Sequence, residues 1–355
     1  MQDNFPKNTR FADLSLQISW AIIALTVSLF VYGIYVNEPI IIDASKPGKG
    51  EDLKCYRAIV ERIHNEEGYY HAADQELRTR GYPTRSVFNW RLPFLALFLG
   101  NLPSISIGQT LALLLSGVTV ILWIFVLKRN FSFGYAAIGS VLLLGILINS
   151  LIKDVFLTHE FWAGTLIVLS LIAFSQGWTF LSISSGILAL FIRELSIPFV
   201  GAMMFAAFIE RHYRESICWL LGILVFFLIL GIHSYIVSNL ITDANIAQKE
   251  GWIALGGWTF VLKTIQFHPF LISAPSWITP MFVPLSILGL VGWKGPLGSR
   301  VALIVGAYIL SYLFVGKPFN IYWGVMFNTL VFLGVLYIPR SIFDLWRSIS
   351  RQSSK

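Results

Sequence analysis

The chain has 355 residues, 56% of them hydrophobic and 13% charged, with a mean hydropathy of +0.70 and a formal net charge of +7. That composition excludes a soluble domain with a solvated surface, and apolar runs near the ~20 residues that cross a bilayer predict membrane helices, not the alternating strands of a barrel. The basic excess is assigned to loops on one side of the membrane, so no nucleic-acid partner is expected.

Taken in order, the first span is Leu16 to Val36, preceded by Lys7 and Arg10. It is longer than a signal-peptide core and has no small-residue cleavage site before Asn37, so it reads as a retained anchor. A loop from residue 37 to Arg91 follows, unlike anything else in the chain, with nine acidic and nine basic side chains between Glu38 and Arg91. Within it, Leu53, Tyr56, Val60 and Ile63 recur at helical spacing and predict an amphipathic helix over Glu51 to His64. Tyr69, Tyr70, Ala73 and Leu77 predict a second helix, stopped by Gly81 and Pro83. Leu92 to Gly100 is apolar but too short to cross, and is expected to be re-entrant or interfacial.

Further spans are expected at Ile105 to Leu127, Phe131 to Ile152, Phe161 to Gln176, Thr179 to Ile192, Leu195 to Ile209 and Ile217 to Leu240. A tight hairpin at Arg193-Glu194 separates two short ones. A second outer loop, Ile241 to Trp277, carries a Trp- and Gly-rich stretch placed at the membrane interface. The last spans are Ile278 to Trp293, Val301 to Val315 and Phe319 to Tyr337, with a tail from residue 341. The expected fold is therefore all-α: one polytopic transmembrane bundle of about ten spans with a large extracytoplasmic first loop. Lys7, Arg10, Lys128, Arg129, Arg211, Arg214, Lys294, Arg300, Arg340, Arg347, Arg351 and Lys355 fall on the side of the termini, against Lys153, Arg193 and Lys317 opposite. By the positive-inside rule both termini are cytoplasmic and the charged loop faces outward. Cys55 and Cys218 then lie on opposite sides of the membrane, and no disulfide is expected.

Ionisable residues gather at the outer ends of spans: Arg91, Lys153, Asp154, His159, Glu160, Arg193, Glu194, His268 and Lys317. Charges abutting apolar runs face a bundle interior or a water-filled cavity, which makes them functional candidates. Snorkelling accounts for Lys153-Asp154. For Arg193 two accounts compete: local pairing with Glu194 or Glu160 to hold the hairpin, or projection into an outer cavity to bind phosphate. By spacing alone, Asp52 is a first-turn acid favoured by the helix dipole, on the face shared by Tyr56, Ile59 and Ile63. His64 and His71 with Glu66 and Glu67 fit no zinc-enzyme spacing, and no glycine-rich phosphate loop is present. No metal or other cofactor is expected.

One span, a large outer loop, an acid in the pattern D-x-x-x-Y (Asp52, Tyr56), YY-x-A-A at Tyr69 to Ala73 and the stretch Phe88 to Pro93 together resemble the GT-C class of membrane glycosyltransferases. The likeness is to bacterial members that use polyprenol-phosphate sugars. It covers the first span and loop, and the rest only as span order; the chain has no adjacent acidic pair beyond Glu51-Asp52. The resemblance implies an inner-membrane enzyme that takes a sugar from a polyprenyl-phosphate donor. The acceptor is an extracytoplasmic glycan, lipid or protein, and the transfer inverts the anomeric centre. It makes Asp52 the general base and Arg91, Arg193 and Lys317 the phosphate-binding cations. Tyr56, Glu160 and Tyr322 are candidates for positioning sugar or acceptor hydroxyls. A transporter or flippase for a lipid-linked glycan, and a non-catalytic assembly subunit, remain alternatives; the first would show midplane charges or broken helices.

Overall fold

The computed structural model describes residues 8–40, 51–242, 245–247 and 254–353. The expectations that rest on Lys7, Lys355, the start of the charged loop at 41–50 and parts of the second outer loop lie outside these. The described chain is all-helical. In order the α-helices are α1 (Leu16–Val36), α2 (Glu51–His64), α3 (Tyr69–Thr79), α4 (Phe94–Gly100), α5 (Ile105–Asn130), α6 (Phe133–Leu151), α7 (His159–Ser175) and α8 (Thr179–Ile192). There follow α9 (Ile197–Ile209), α10 (Tyr213–Leu240), α11 (Gly257–Gln266), α12 (Ile278–Gly292), α13 (Pro296–Phe314), α14 (Asn328–Phe332) and α15 (Ile338–Ser353).

Six helical stretches are long and apolar enough to cross a membrane: Leu16–Val36, Ile105–Arg129, Phe133–Leu151, Tyr213–Leu240, Pro296–Phe314 and Asn328–Arg351, the last with a 3-10 turn at Leu333–Tyr337. They make this a multi-pass membrane protein. Shorter apolar helices, His159–Ser175, Thr179–Ile192, Glu194–Ile209 and Ile278–Gly292 among them, pack into the same bundle. α7 is its axis, with 14 of its 17 residues buried. A helix apolar on every side has no polar face to give to solvent, so it is enclosed by others. α1 is the opposite case, burying only Ser19 and Gly33 and leaving its apolar surface facing outward.

Three expectations are revised. The Trp- and Gly-rich stretch does not lie flat at an interface: α11 is packed inside, with Trp258, Phe260, Val261, Leu262, Ile265 and Gln266 buried. The expected span Phe319 to Tyr337 is not one α-helix. It runs as a 3-10 segment, Pro318–Met326, then α14, then a second 3-10 segment, Leu333–Tyr337, with Phe327 off helical geometry at φ −141°, ψ −14°. Close backbone contact is the reason: a Cβ on Gly324 would sit 1.8 Å from the Thr264 carbonyl oxygen, and one on Gly334 2.0 Å from that of Ser286. Finally, residues after 341 are no loose tail. They continue as α15, whose Asp344 accepts bonds from the Thr9 amide at 2.6 Å and hydroxyl at 2.9 Å.

The charged loop is fastened to one end of the bundle. α2 buries Cys55, Ile59, Val60 and Ile63, packing against α4, and the His64 ring meets the Gly100 carbonyl through Nδ1 at 3.1 Å. Arg57 pairs with Asp154. α3 is tied to α10 by Arg78 Nη2 donating to the Leu240 carbonyl at 2.9 Å and by the Tyr70 hydroxyl against His233 Nδ1 at 3.1 Å. Both cysteines are free.

Candidate functional site

The α7 N-terminus sets the floor of the site, because its first turn places His159 and Glu160 where the helix dipole favours an acid. Beside it, α8 ends at Arg193, whose backbone is extended and caps the helix through the Ala189 carbonyl. The chain then reverses through a 3-10 turn, Glu194–Ser196, into α9. That reversal swings the Arg193 guanidinium sideways over α7, where Nε lies 2.6 Å from Glu160 Oε1 and Nη1 meets Glu194. Arg91, at the re-entry of the charged loop, reaches the same Glu194 oxygen at 3.3 Å. The result is a chain of alternating charges, Glu160, Arg193, Glu194, Arg91, with no net charge.

Depth divides this chain. The Arg193 and Glu160 side chains are 1% and 3% exposed, whereas Arg91 and Glu194 are 18% and 28% exposed. A ligand therefore meets Arg91 first. Arg193 is ion-paired with both carboxylates, Glu160 and Glu194. The Trp323 ring lies 5.8 Å from its guanidinium carbon.

Asp52 stands in the first turn of α2. Its carboxylate accepts the hydroxyl of Tyr82, a residue from the turn after α3. Burial and that same hydrogen bond hold the Tyr82 phenol well above its ordinary pKa, so it remains a donor across the physiological range. Tyr56, one turn after Asp52, is raised too, chiefly by burial, and lies within electrostatic reach of Arg91, Glu160, Asp52 and Arg193. Tyr322, in the first 3-10 segment, has Glu160, Tyr56, Arg91 and Arg193 around it. Six of the seven residues expected from sequence thus converge. The seventh, Lys317, is buried, with its Nζ 5.8 Å from the Phe319 ring.

Between α2, α3, α4 and the start of α7 is a narrow pocket. Its walls are mainly aliphatic, including Leu95, Leu99 and Leu157, and its polar points are Tyr56, Tyr69, Asn89, Arg91 and His159. Tyr69 donates its hydroxyl to the Arg91 carbonyl, fixing the backbone that carries the guanidinium. His159 is 4% exposed, touches Tyr56 edge-on at 5.2 Å, and has no partner at either ring nitrogen among the described residues. An unmet buried polar group costs about 1 to 3 kcal/mol. Such a group on a pocket wall marks where a ligand's hydroxyl or phosphate oxygen gains most.

Sequence reasoning gave Tyr82 no place and His159 and Glu194 no role in binding. Tyr82 had no signal beyond the turn it follows; His159 and Glu194 had theirs in abutting apolar runs with little loop to solvate them. Among the described residues no three His, Cys, Asp or Glu side chains gather as a metal-ligand set. Comparison of the chain with family models, curated proteins and solved structures finds no match.

Proposed function

We propose that the chain is a membrane glycosyltransferase of GT-C type, moving a sugar from a polyprenyl-phosphate donor to an extracytoplasmic acceptor with inversion. One observation carries the reading: an acid oriented by Tyr82 stands one helical turn from a pocket that combines aliphatic walls, a partly exposed arginine and an unsatisfied histidine. Aliphatic walls suit a lipid chain and the arginine suits its phosphate. In this reading the six long and four short apolar helices make ten spans, with both termini cytoplasmic and the pocket outside.

Asp52 takes the proton of the acceptor hydroxyl as its oxygen attacks the anomeric carbon. The bond from that carbon to the phosphate oxygen breaks, and the lipid phosphate leaves with the electron pair. Arg91, nearest the pocket, stabilises the charge gained by the phosphate. Arg193 acts one step back, holding Glu194 and through it Arg91, because its own donors already face two carboxylates. Tyr56 and Tyr322 offer hydroxyls to sugar or acceptor.

A transporter of lipid-linked glycans draws support from one feature, the segmented stretch at 318–337. Purified protein in proteoliposomes, supplied with a panel of polyprenyl-phosphate sugars, separates the two. Asp52→Asn should lower transfer ~100- to 10,000-fold while the protein keeps its melting midpoint. Lipid movement between leaflets that is indifferent to Asp52→Asn, with no transfer, would establish the transporter instead.

A further inference from the structure

The C-terminal helix α15 shows two faces of different kinds. One, formed by Ser341, Asp344, Leu345, Ser348 and Ile349, is buried against α12, α1 and residues 9–11. Ser348 donates to the Phe11 carbonyl at 2.8 Å, and Phe11 and Leu345 pack with Leu288. The other face carries Ile342, Phe343 and Trp346, exposed by 49%, 51% and 68%, beside a stripe of arginines at 340, 347 and 351. The positions 340, 343, 347 and 351 are spaced as one helical row, with 342 and 346 in the next.

The charge on this face is one-sided by construction. Asp344 is the sole acid in the helix, and it is fully buried, capped by Thr9 and paired with Arg340 Nε at 3.1 Å. Turned outward, it would sit one turn from Arg347 and offset its charge. Arg347 itself has no hydrogen bond or ion pair among the described residues. Arg340 lies over the Phe343 ring at 5.1 Å, joining the cationic row to the aromatic one.

We propose that this face of α15 binds the anionic headgroups of the bilayer surface at the end of the bundle where the N- and C-terminal segments meet. Ile342, Phe343 and Trp346 enter the headgroup–acyl boundary, and Arg347 and Arg351 hold lipid phosphates above them. An amphipathic helix with aromatic and aliphatic residues flanked by arginines is built for that boundary. Charge complementarity selects anionic over zwitterionic lipid, since a zwitterion returns a positive group beside each phosphate. The inference is independent of any transferase activity.

The test uses the full chain in detergent, titrated with phosphatidylglycerol or phosphatidylcholine and read by native mass spectrometry for retained lipid. Phosphatidylglycerol should be retained in preference, and Arg347→Gln/Arg351→Gln should weaken that retention roughly thirtyfold, from ~1 kcal/mol per arginine near the surface. Arg347→Lys/Arg351→Lys should preserve most of it. Trp346→Phe should reduce the share of tryptophan fluorescence that is quenched by brominated phosphatidylglycerol, the remainder arising from other exposed tryptophans such as Trp20 and Trp277. Both substituted arginines face outward, and an unchanged melting midpoint checks the fold. Equal retention of the two lipids, as expected if the face docks a protein, or no loss in the Gln pair, overturns the proposal. So does a Lys pair as weak as the Gln pair.

Discussion

Arg193 is surrounded by protein, and its charge is matched by two carboxylates. Removing it leaves Glu160 buried without a counter-charge, which typically costs 3 to 5 kcal/mol. Arg193→Gln should therefore lower the melting midpoint sharply, and Arg193→Gln/Glu160→Gln should recover part of the loss in a double-mutant cycle. A midpoint unchanged in the single variant would mean that the pair contributes nothing to stability. Arg91→Gln is expected to behave in the opposite way. Its side chain is partly exposed and shares Glu194 with Arg193, so stability should hold while affinity for polyprenyl phosphate falls roughly ten- to a hundredfold, the equivalent of one charged hydrogen bond. Tyr82→Phe removes only the hydroxyl that orients Asp52. Turnover should fall by roughly ten- to a hundredfold, with the KM for donor unchanged. A shift in KM alone would assign Tyr82 to binding.

Whether the pocket exists depends on how α2 is seated. Gly100 ends α4 at the point where α2 crosses it, and a Cβ there would lie 2.5 Å from Ile63 Cγ2 and 2.7 Å from Ile63 Cβ. Overpacking of this kind costs about 1 to 3 kcal/mol. Gly100→Ala should thus lift α2, widen the pocket that α2, α3 and α4 enclose, and speed tryptic cleavage at Arg57 and Arg62. Cleavage no faster than in the parent protein would show that α2 is held by its other ties, the Arg57–Asp154 pair among them. The same dependence on seating explains the segmented stretch at 318–337. There glycines at 324 and 334 let backbones meet, and an uninterrupted α-helix would push them apart.

At the scale of the molecule, the proposed topology places the outer loop and the α12–α13 turn on opposite sides. In a Cys218→Ser background, needed because Cys218 is exposed, a cysteine at exposed Gln75 should react with an impermeant thiol reagent in intact cells. One at exposed Lys294 should react only after the membrane is opened. Labelling at Lys294 alone would invert the orientation.

By itself the sequence determined what depends on neighbours a few residues away. Hydropathy over ~20 residues marked the membrane helices, and spacing of 3 and 4 marked α2 at Glu51–His64 with the same bounds the structure has. Abutting charges singled out Glu160, Arg193 and Arg91 because an ion beside an apolar run needs a partner wherever the chain folds. Only the tertiary structure decided which partner. Glu160 is 33 positions from Arg193, and Tyr82 is 30 from Asp52; no local pattern encodes such a meeting. It decided as well that Arg193 is ion-paired with two carboxylates and that α11 is buried. These outcomes follow from which helix ends pack side by side, a property of the whole bundle and of the close backbone contacts that its glycines permit.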